Sequence, residues 1–118
     1  MVNVLFIFNE APYGSEEMWN GLRLALTLAR KQVDGGIRIF LLGDSAVCAR
    51  KGQKVPQGYY NLESTLKGLL SKGIGVSACG TCMDARGIQD GDLIDGIRRG
   101  RMDELSDWVI WADKVLTF

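Results

Sequence analysis

Histidine is absent from the 118 residues of this chain. Its absence excludes nucleophile pairs of serine or cysteine with histidine, zinc motifs built on histidine, and histidine-ligated haem. Cysteine is scarce: Cys48, Cys79 and Cys82 form an odd set of three, which argues against a disulfide framework. Three thiols also leave a structural zinc site one ligand short, so we expect no metal and no organic cofactor. Thiol chemistry, carboxylate chemistry and binding remain open.

Net charge and long apolar runs are missing as well. Fourteen basic side chains balance fourteen acidic ones, so no net field attracts nucleic acid or an anionic membrane surface. The longest uninterrupted apolar runs have five residues, whereas a bilayer-spanning helix needs about twenty. The first residues lack a basic segment and a cleavage site, so we expect no secretory signal and a cytoplasmic location.

Five apolar segments alternate with helical patterns along the chain. We predict strands at residues 2–8, 37–42, 74–78, 93–97 and 114–118. Helical spacing predicts helices at residues 16–33, 61–72 and 102–112, with a short helical segment at 45–50. Ser15 and Asn61 are the predicted N-caps of the first two helices. Because strands that alternate with helices build parallel sheets, we predict one α/β domain over residues 1–118, a three-layer α/β/α fold with a five-stranded, mostly parallel sheet.

The strongest local signal for chemistry is Cys79-Gly80-Thr81-Cys82, directly after the third predicted strand. Ligands of open parallel sheets bind at this carboxyl edge. Backbone N–H groups of the following turn, together with nearby Arg86, would favour the thiolate of Cys79 and lower its pKa. Gly80 permits close backbone approach, and Thr81 supplies a hydroxyl donor. Packing of both cysteines in the core is the competing interpretation.

A reactive thiol at this position allows two chemistries. A thioredoxin-like dithiol requires the motif at the start of a long helix, whereas the four residues between Cys82 and Gly87 are too few for a well-formed helix. A sulfur carrier requires one nucleophilic cysteine, here Cys79, that holds sulfur as a persulfide and passes it on. Cys82 would then resolve the persulfide or simply pack. A non-catalytic oligomeric binding protein is the third alternative.

Polar residues at the ends of other strands are candidates for the same crevice. Asn9 and Glu10 follow the first predicted strand, and Asp44 follows the second. Because the carboxyl ends of parallel strands share one edge, these side chains can meet Cys79, with Glu10 as a base for its thiol. A capping or surface role is the competing interpretation of Glu10.

A basic loop before the second long helix is a candidate wall of the pocket. Lys54 and Tyr59 would line it and attract an anionic substrate, although a solvated loop has the same composition. Cys48 precedes this loop in an apolar patch and is expected to be a packed, structural cysteine. We interpret the basic run at 98–101 as a solvated turn.

Four segments carry a resemblance to a known family: NEAPYGSE at 9–16, RKGQK at 50–54, CGTCMDARGI at 79–88 and ADKVLTF at 112–118. Together they resemble the DsrE/DsrF-like family, and within it the small YchN-like branch, over essentially the whole chain. The resemblance implies a three-layer fold with a five-stranded parallel sheet, assembled into homotrimers or homohexamers. Sulfur-relay subunits of the wider family carry sulfur on a cysteine after this strand, and Cys79 is the matching position. It also implies sulfur donor and acceptor proteins as partners.

Overall fold

The computed structural model describes residues 2–31 and 36–118, and this part of the chain forms one five-stranded sheet. The strands are β1 (Val4–Phe8), β2 (Ile37–Leu41), β3 (Gly75–Cys79), β4 (Arg98–Gly100) and β5 (Lys114–Thr117). The α-helices are α1 (Glu17–Lys31), α2 (Leu62–Ser71), α3 (Gly80–Ala85) and α4 (Met102–Trp111). Two 3₁₀ segments lie in the connections, Gly43–Ala49 and Asp90–Asp92.

All neighbouring strands in the sheet run parallel, in the order β4-β3-β2-β1-β5. The predicted α/β class and the five-stranded sheet are confirmed, and the sheet is parallel throughout rather than mostly so. Phe8 pairs with Leu41, and Leu41 pairs with Ala78. The carboxyl ends of β1, β2 and β3 therefore share one edge, at which the cysteine motif begins.

The two faces of the sheet are covered by different helices. Successive residues of a strand point to opposite faces, so Phe6 and Leu5 enter different buried clusters. The larger cluster packs against α1 and α2, and we call this side the α1–α2 face. The smaller cluster packs against α4, and we call this side the α4 face. Its buried members are Leu5, Phe40, Cys79, Leu105 and Trp108.

The long helices begin where their caps predict. Ser15 Oγ accepts a hydrogen bond from the N–H of Glu17 at 3.3 Å, and Asn61 Oδ1 accepts one from the N–H of Ser64 at 3.0 Å. The predicted end of the first helix at residue 33 lies outside the described residues. The inner sides of α1 and α2 follow the helical spacing, with fully buried Met18, Leu22, Ala25, Leu62, Leu66 and Leu69. No helix in the described ranges has both the length and the apolar composition needed to cross a bilayer.

The fourth strand lies later in the chain than the apolar pattern predicts. The strand predicted at 93–97 is wrong: Leu93 forms an isolated antiparallel bridge with Arg50, and β4 is instead the charged segment Arg98–Gly100. The apolar residues of 93–97 are buried in a loop against the α1–α2 face, so their pattern reports burial rather than strand pairing. β4 is an edge strand, where short and charged segments are common.

Candidate functional site

Cys79 is both the last residue of β3 and the N-cap of α3. Its side chain is 7% exposed and belongs to the α4-face cluster. The Sγ atom accepts a hydrogen bond from the N–H of Cys82 at 3.4 Å and lies 3.3 Å from Thr81 Oγ1. The chain therefore bends from strand to helix around this sulfur and directs polar hydrogens at it.

The helix at the motif corrects one prediction. The residue count after Cys82 predicts no well-formed helix, and this is wrong because α3 begins at Gly80, inside the motif. The helix has six residues, so it remains shorter than the long helix that a thioredoxin-like dithiol requires.

The surroundings of Cys79 favour its thiolate. Burial raises the pKa of this thiol, yet the hydrogen bonds that it receives outweigh burial, and its pKa lies below the ordinary value. These bonds come from the side chain of Cys82, the Thr81 hydroxyl and the backbone N–H groups of both residues. Because the thiolate is the nucleophilic form of cysteine, Cys79 is the candidate nucleophile of the pair.

Cys82 has the opposite character. Burial and the hydrogen bond with Cys79 raise the pKa of Cys82, and they outweigh the lowering effects of the Gly43 N–H and the Arg86 charge. The Gly43 N–H donates to Cys82 Sγ at 3.2 Å. Gly43 has a φ of +55°, a conformation that glycine adopts without strain. The two neighbouring thiols thus differ in acidity, which suits a nucleophile beside a supporting thiol.

A cavity of about 260 Å³ opens beside Cys79. This volume is just below that of pockets for drug-sized ligands, so it suits a smaller reactant. A cavity of about 570 Å³ lies at the opposite edge of the sheet, beside Trp111, whereas ligands of open parallel sheets bind at the carboxyl edge. The wall of the smaller cavity comes from the start of α3, from β4 and from the start of α4, through Cys79, Gly80, Thr81, Arg99, Gly100, Arg101 and Met102.

Arg99 is the site residue that sequence reasoning missed. The interpretation of 98–101 as a solvated turn is wrong, because Arg98–Gly100 is a strand of the sheet and Arg99 lines the Cys79 cavity. The error follows from the prediction of the fourth strand at 93–97, which left Arg99 outside the sheet. A short, charged segment directly after a glycine turn is the edge-strand signal that could have found it.

Arg86 lies near the motif in sequence but makes other contacts. Its guanidinium donates to Asp44 Oδ1 at 2.8 and 3.2 Å and to the carbonyl of Cys82 at 3.0 Å. Its charge lowers the pKa of Cys82, whereas the main influences on Cys79 come from Cys82 and Thr81. Arg86 therefore ties α3 to the segment after β2, in place of the predicted direct effect on the Cys79 thiol.

The four predicted pocket residues lie apart from the cavity. Asn9 and Glu10 are exposed after β1, and Lys54 and Tyr59 are exposed in the loop before α2. The cavity wall contains none of these four described residues. The geometry therefore gives no support to Glu10 as the base for Cys79 or to Lys54 as an anion site.

The loop before α2 is held by contacts on the other side of the molecule. Glu63 Oε1 accepts hydrogen bonds from the N–H groups of Gly52 and Gln53, each at 2.8 Å. Tyr13 Oη donates to Gln53 Oε1 at 2.6 Å. These bonds fix the loop against α2 and against the loop that precedes α1, which accounts for its separation from the cavity.

Cys48 has no part in the site. It is fully buried in the α1–α2 face, and burial raises the pKa of its thiol to about 12. The thiol is therefore un-ionised at neutral pH, and the prediction of a packed cysteine is confirmed. Within residues 2–31 and 36–118, no group of three or more cysteine, aspartate or glutamate side chains is arranged to hold a metal ion.

Comparison with known proteins places these features in a family. The profile of the DsrE/DsrF-like family matches residues 2–118. Protein YchN of Escherichia coli K12 is 42% identical over 118 residues, the full length of both chains. An uncharacterized protein of Methanopyrus kandleri, MK0008, is 36% identical over 116 residues, which cover 98% of this chain and 93% of that protein.

Solved structures agree with this match. The crystal structure of ychN protein from E. coli has a TM-score of 0.94 to this structure, with full coverage of both chains. A protein of unknown function from Methanobacterium thermoautotrophicum, MTH1491, has a TM-score of 0.81 with full coverage at 13% identity, a likeness of fold alone.

Proposed function

Because this chain belongs to the DsrE/DsrF-like family, we propose that it is a sulfur-relay protein that carries a persulfide on Cys79. The observation that carries the proposal is the environment of the Cys79 thiol, which favours its ionised form. Hydrogen bonds from Cys82 and Thr81 lower its pKa below the ordinary value despite burial, and Cys79 lines a small cavity. A thiolate with access to a small reactant is what sulfur exchange requires.

The exchange balances without an added oxidant or reductant. The Cys79 thiolate attacks the outer sulfur of a donor persulfide, R–S–SH. A new S–S bond forms on Cys79, the S–S bond of the donor breaks, and its electron pair leaves with the donor thiolate. The proton of the transferred sulfur passes to solvent or to the leaving thiolate. An acceptor thiolate then repeats the attack on the Cys79 persulfide, which returns Cys79 to its thiolate form.

Donor and acceptor are proposed to be partner proteins with exposed thiols, and the setting is proposed to be the cytoplasm, where thiols stay reduced. The test exposes the protein to a cysteine desulfurase with cysteine, or to sodium polysulfide, and records intact mass. The matched variants are Cys79→Ser, Cys82→Ser and Cys48→Ala. We expect a gain of one sulfur atom that requires Cys79 alone. No sulfur gain by the wild type from either source would contradict the proposal.

A dithiol function is the second candidate, because Cys79 and Cys82 are neighbouring free thiols, with the Cys82 N–H donating to Cys79 Sγ at 3.4 Å. The Cys79 thiolate would attack a partner disulfide, and Cys82 would displace the partner thiol. The partner is reduced by two electrons while Cys79 and Cys82 become a disulfide. The same mass experiment separates the candidates, since this reaction appears as a loss of two hydrogens that needs both cysteines.

Self-assembly is proposed through the α4 face, into a trimer or a hexamer. This face exposes Ile110 by 83% and Met102 by 64%, and Met102 also lines the Cys79 cavity. The exposed charges around it have both signs, with Arg101 beside Asp103 at 3.5 Å, so a second copy can match them. A contact here would lie next to the opening beside Cys79.

Sedimentation analysis tests this assembly. The wild type is expected to sediment as a multiple of the monomer, and Ile110→Glu is expected to shift it toward the monomer, because a charge would be buried in the contact. Leu24→Glu is the matched control, since Leu24 is a 40% exposed leucine on α1, on the opposite face. A monomeric wild type, or equal dissociation by both variants, would contradict an α4 contact.

A further inference from the structure

Arg99 reaches the cysteine motif from the neighbouring strand. It pairs in register with Ala78 on β3, and its side chain rests on Gly80. A Cβ atom on Gly80 would lie 2.8 Å from Arg99 Nε and 3.1 Å from Cζ. The missing side chain of Gly80 therefore allows a guanidinium to lie directly on the backbone next to Cys79.

Two aspartates hold the guanidinium in this place. Arg99 Nη2 donates to Asp84 Oδ2 at 2.6 Å, and Nη1 lies 3.5 Å from Asp90 Oδ1. Asp84 comes from α3 and Asp90 from the following 3₁₀ segment, so the arginine is braced from two directions. Both ion pairs engage Nη atoms, while Nε is the atom nearest Gly80. An arginine has five N–H donors, and the two aspartates leave several of them for a ligand.

Arg99 shares a cavity with Cys79 but is not among the groups that lower the pKa of its thiol. Cys79 and Arg99 line the same cavity of about 260 Å³. The hydrogen bonds that lower the pKa of the Cys79 thiol come from Thr81 and Cys82. A persulfide extends one S–S bond, about 2 Å, beyond Sγ, so its terminal sulfur can reach into the cavity that both residues line.

We propose that Arg99 binds the terminal sulfur anion of the Cys79 persulfide and prepares it for transfer, an inference that rests on the proposed sulfur-relay function. An acceptor thiolate and a persulfide anion repel each other, and a guanidinium beside the terminal sulfur reduces that repulsion. The acceptor sulfur bonds to the terminal sulfur, the S–S bond to Cys79 breaks, and the electron pair returns to Sγ. Arg99 keeps its proton throughout.

The test compares Arg99→Gln and Arg99→Lys with wild type in two reactions. The first is alkylation of the unloaded Cys79 thiol by iodoacetamide. The second is transfer of sulfur from the polysulfide-loaded protein to free cysteine. Arg98→Gln is the matched control, because Arg98 lies on the same strand but pairs with Glu104 at 3.0 Å.

Arg99→Gln is expected to slow transfer by roughly ten-fold or more, the scale of a lost charge-assisted hydrogen bond, with alkylation unchanged. Arg99→Lys is expected to restore part of the transfer rate, and Arg98→Gln to match wild type. Asp84→Asn, which releases the guanidinium, is expected to slow transfer less than Arg99→Gln does. Thermal unfolding of each variant establishes that it is folded.

Several results would overturn the inference. Transfer by Arg99→Gln at the wild-type rate shows that Arg99 does not act on the persulfide, while the relay function itself stands. Equal losses of alkylation and transfer, without rescue by Arg99→Lys, assign Arg99 a structural role. A wild type that gains no sulfur removes the relay function and this inference together.

Discussion

In the described part of the chain, the α1–α2 face of the sheet is covered by two long helices, whereas the α4 face is covered by one. The α1–α2 face encloses large side chains completely, among them Phe6, Phe8 and Leu22. The α4 face has five buried residues and leaves Ile110 exposed. The free energy of apolar burial is therefore concentrated on one side of the sheet, while the cysteine motif opens on the other.

Cys48 and Cys79 lie on opposite faces of the sheet, and the pKa values of their thiols shift in opposite directions. Cys48 belongs to the α1–α2 face, where burial raises its pKa to about 12. Cys79 belongs to the α4 face and is also buried, but donors from its own motif lower its pKa. Burial alone therefore does not make a thiol inert, since the hydrogen bonds offered to the sulfur decide which form is stable.

Truncation of matched leucines on the two faces is expected to give the largest effect. Leu22→Ala on α1 should lower the free energy of unfolding toward the upper end of about 2–5 kcal/mol, because Leu22 is fully enclosed. Leu105→Ala on α4 should fall at the lower end of about 2–5 kcal/mol, because the thinner layer can relax around the gap. Urea denaturation measures both losses. Equal losses would contradict the difference in packing between the faces.

A methyl group added to two helical glycines tests how tightly the α1–α2 face is packed. Gly21 of α1 lies against the ring of Phe8, and a Cβ there would also lie 3.0 Å from Phe118 Cδ1. Gly21→Ala should therefore cost about 1–3 kcal/mol of stability through overpacking. Gly68→Ala on α2 enters open space and should instead stabilise by about 0.4–1 kcal/mol. Thermal unfolding measures the stability change of each variant. A stabilising Gly21→Ala would contradict the close packing of α1 against Phe8 and Phe118.

Removal of the Thr81 hydroxyl tests whether this group lowers the pKa of the Cys79 thiol. Thr81→Val deletes the hydroxyl 3.3 Å from Cys79 Sγ, so the pKa of Cys79 should rise and less thiolate should be present at neutral pH. Alkylation at pH 7 should slow by about two- to ten-fold, the scale of one hydrogen bond, and its pH profile should move upward. Cys48→Ala should leave the profile in place. An unmoved profile in Thr81→Val would show that this hydroxyl does not stabilise the thiolate.

The smallest expected effect is a pH dependence of stability on the α1–α2 face. Burial raises the pKa of Glu63, but hydrogen bonds from the Gln53 and Gly52 N–H groups and from the Lys67 ammonium lower it by more. The net pKa of Glu63 is therefore below its usual value. Its folded pKa is thus below its unfolded one, so the stabilisation is complete above an unfolded pKa of about 4.3 and is lost as pH falls through the folded pKa.

Glu63→Gln is expected to flatten the stability curve in this acidic window. Lys67→Gln keeps both backbone hydrogen bonds to Glu63 and should flatten it only in part. Urea denaturation at a series of acidic pH values measures the curves. An unchanged slope in Glu63→Gln would show that this carboxylate does not link folding to pH.

Most of the fold could be predicted because its buried residues recur with simple periods. β1 is a continuous apolar run and β2 is apolar except for Arg38, a composition typical of strands covered on both faces, and α1 and α2 show apolar residues at helical spacing. β4 could not be found in this way. Its residues Arg98–Gly100 form a strand because the edge of β3 is free beside them, which is a tertiary effect.

The position of Cys79 at the sheet edge could be predicted, but its neighbours in the fold could not. Cys79 directly follows an inner parallel strand, and this alone predicts that it lies at the carboxyl edge of the sheet. Arg99 and Gly43 reach the motif through strand register and through a contact between residues 39 positions apart. The prediction that Arg86 acts on the Cys79 thiol rested on proximity in sequence and failed, because the Arg86 guanidinium binds Asp44 instead.

Sulfur relay through Cys79 requires its thiol to be more acidic than an ordinary cysteine thiol. The measurement is the rate of iodoacetamide alkylation of each cysteine as a function of pH, resolved by peptide mass spectrometry on the folded protein. We expect Cys79 to react first, with a rate that rises at a lower pH than for an ordinary thiol. Cys82 should react later, and Cys48 should stay unmodified until the protein unfolds. Reaction of Cys82 ahead of Cys79, or an ordinary profile for Cys79, would contradict sulfur relay through Cys79.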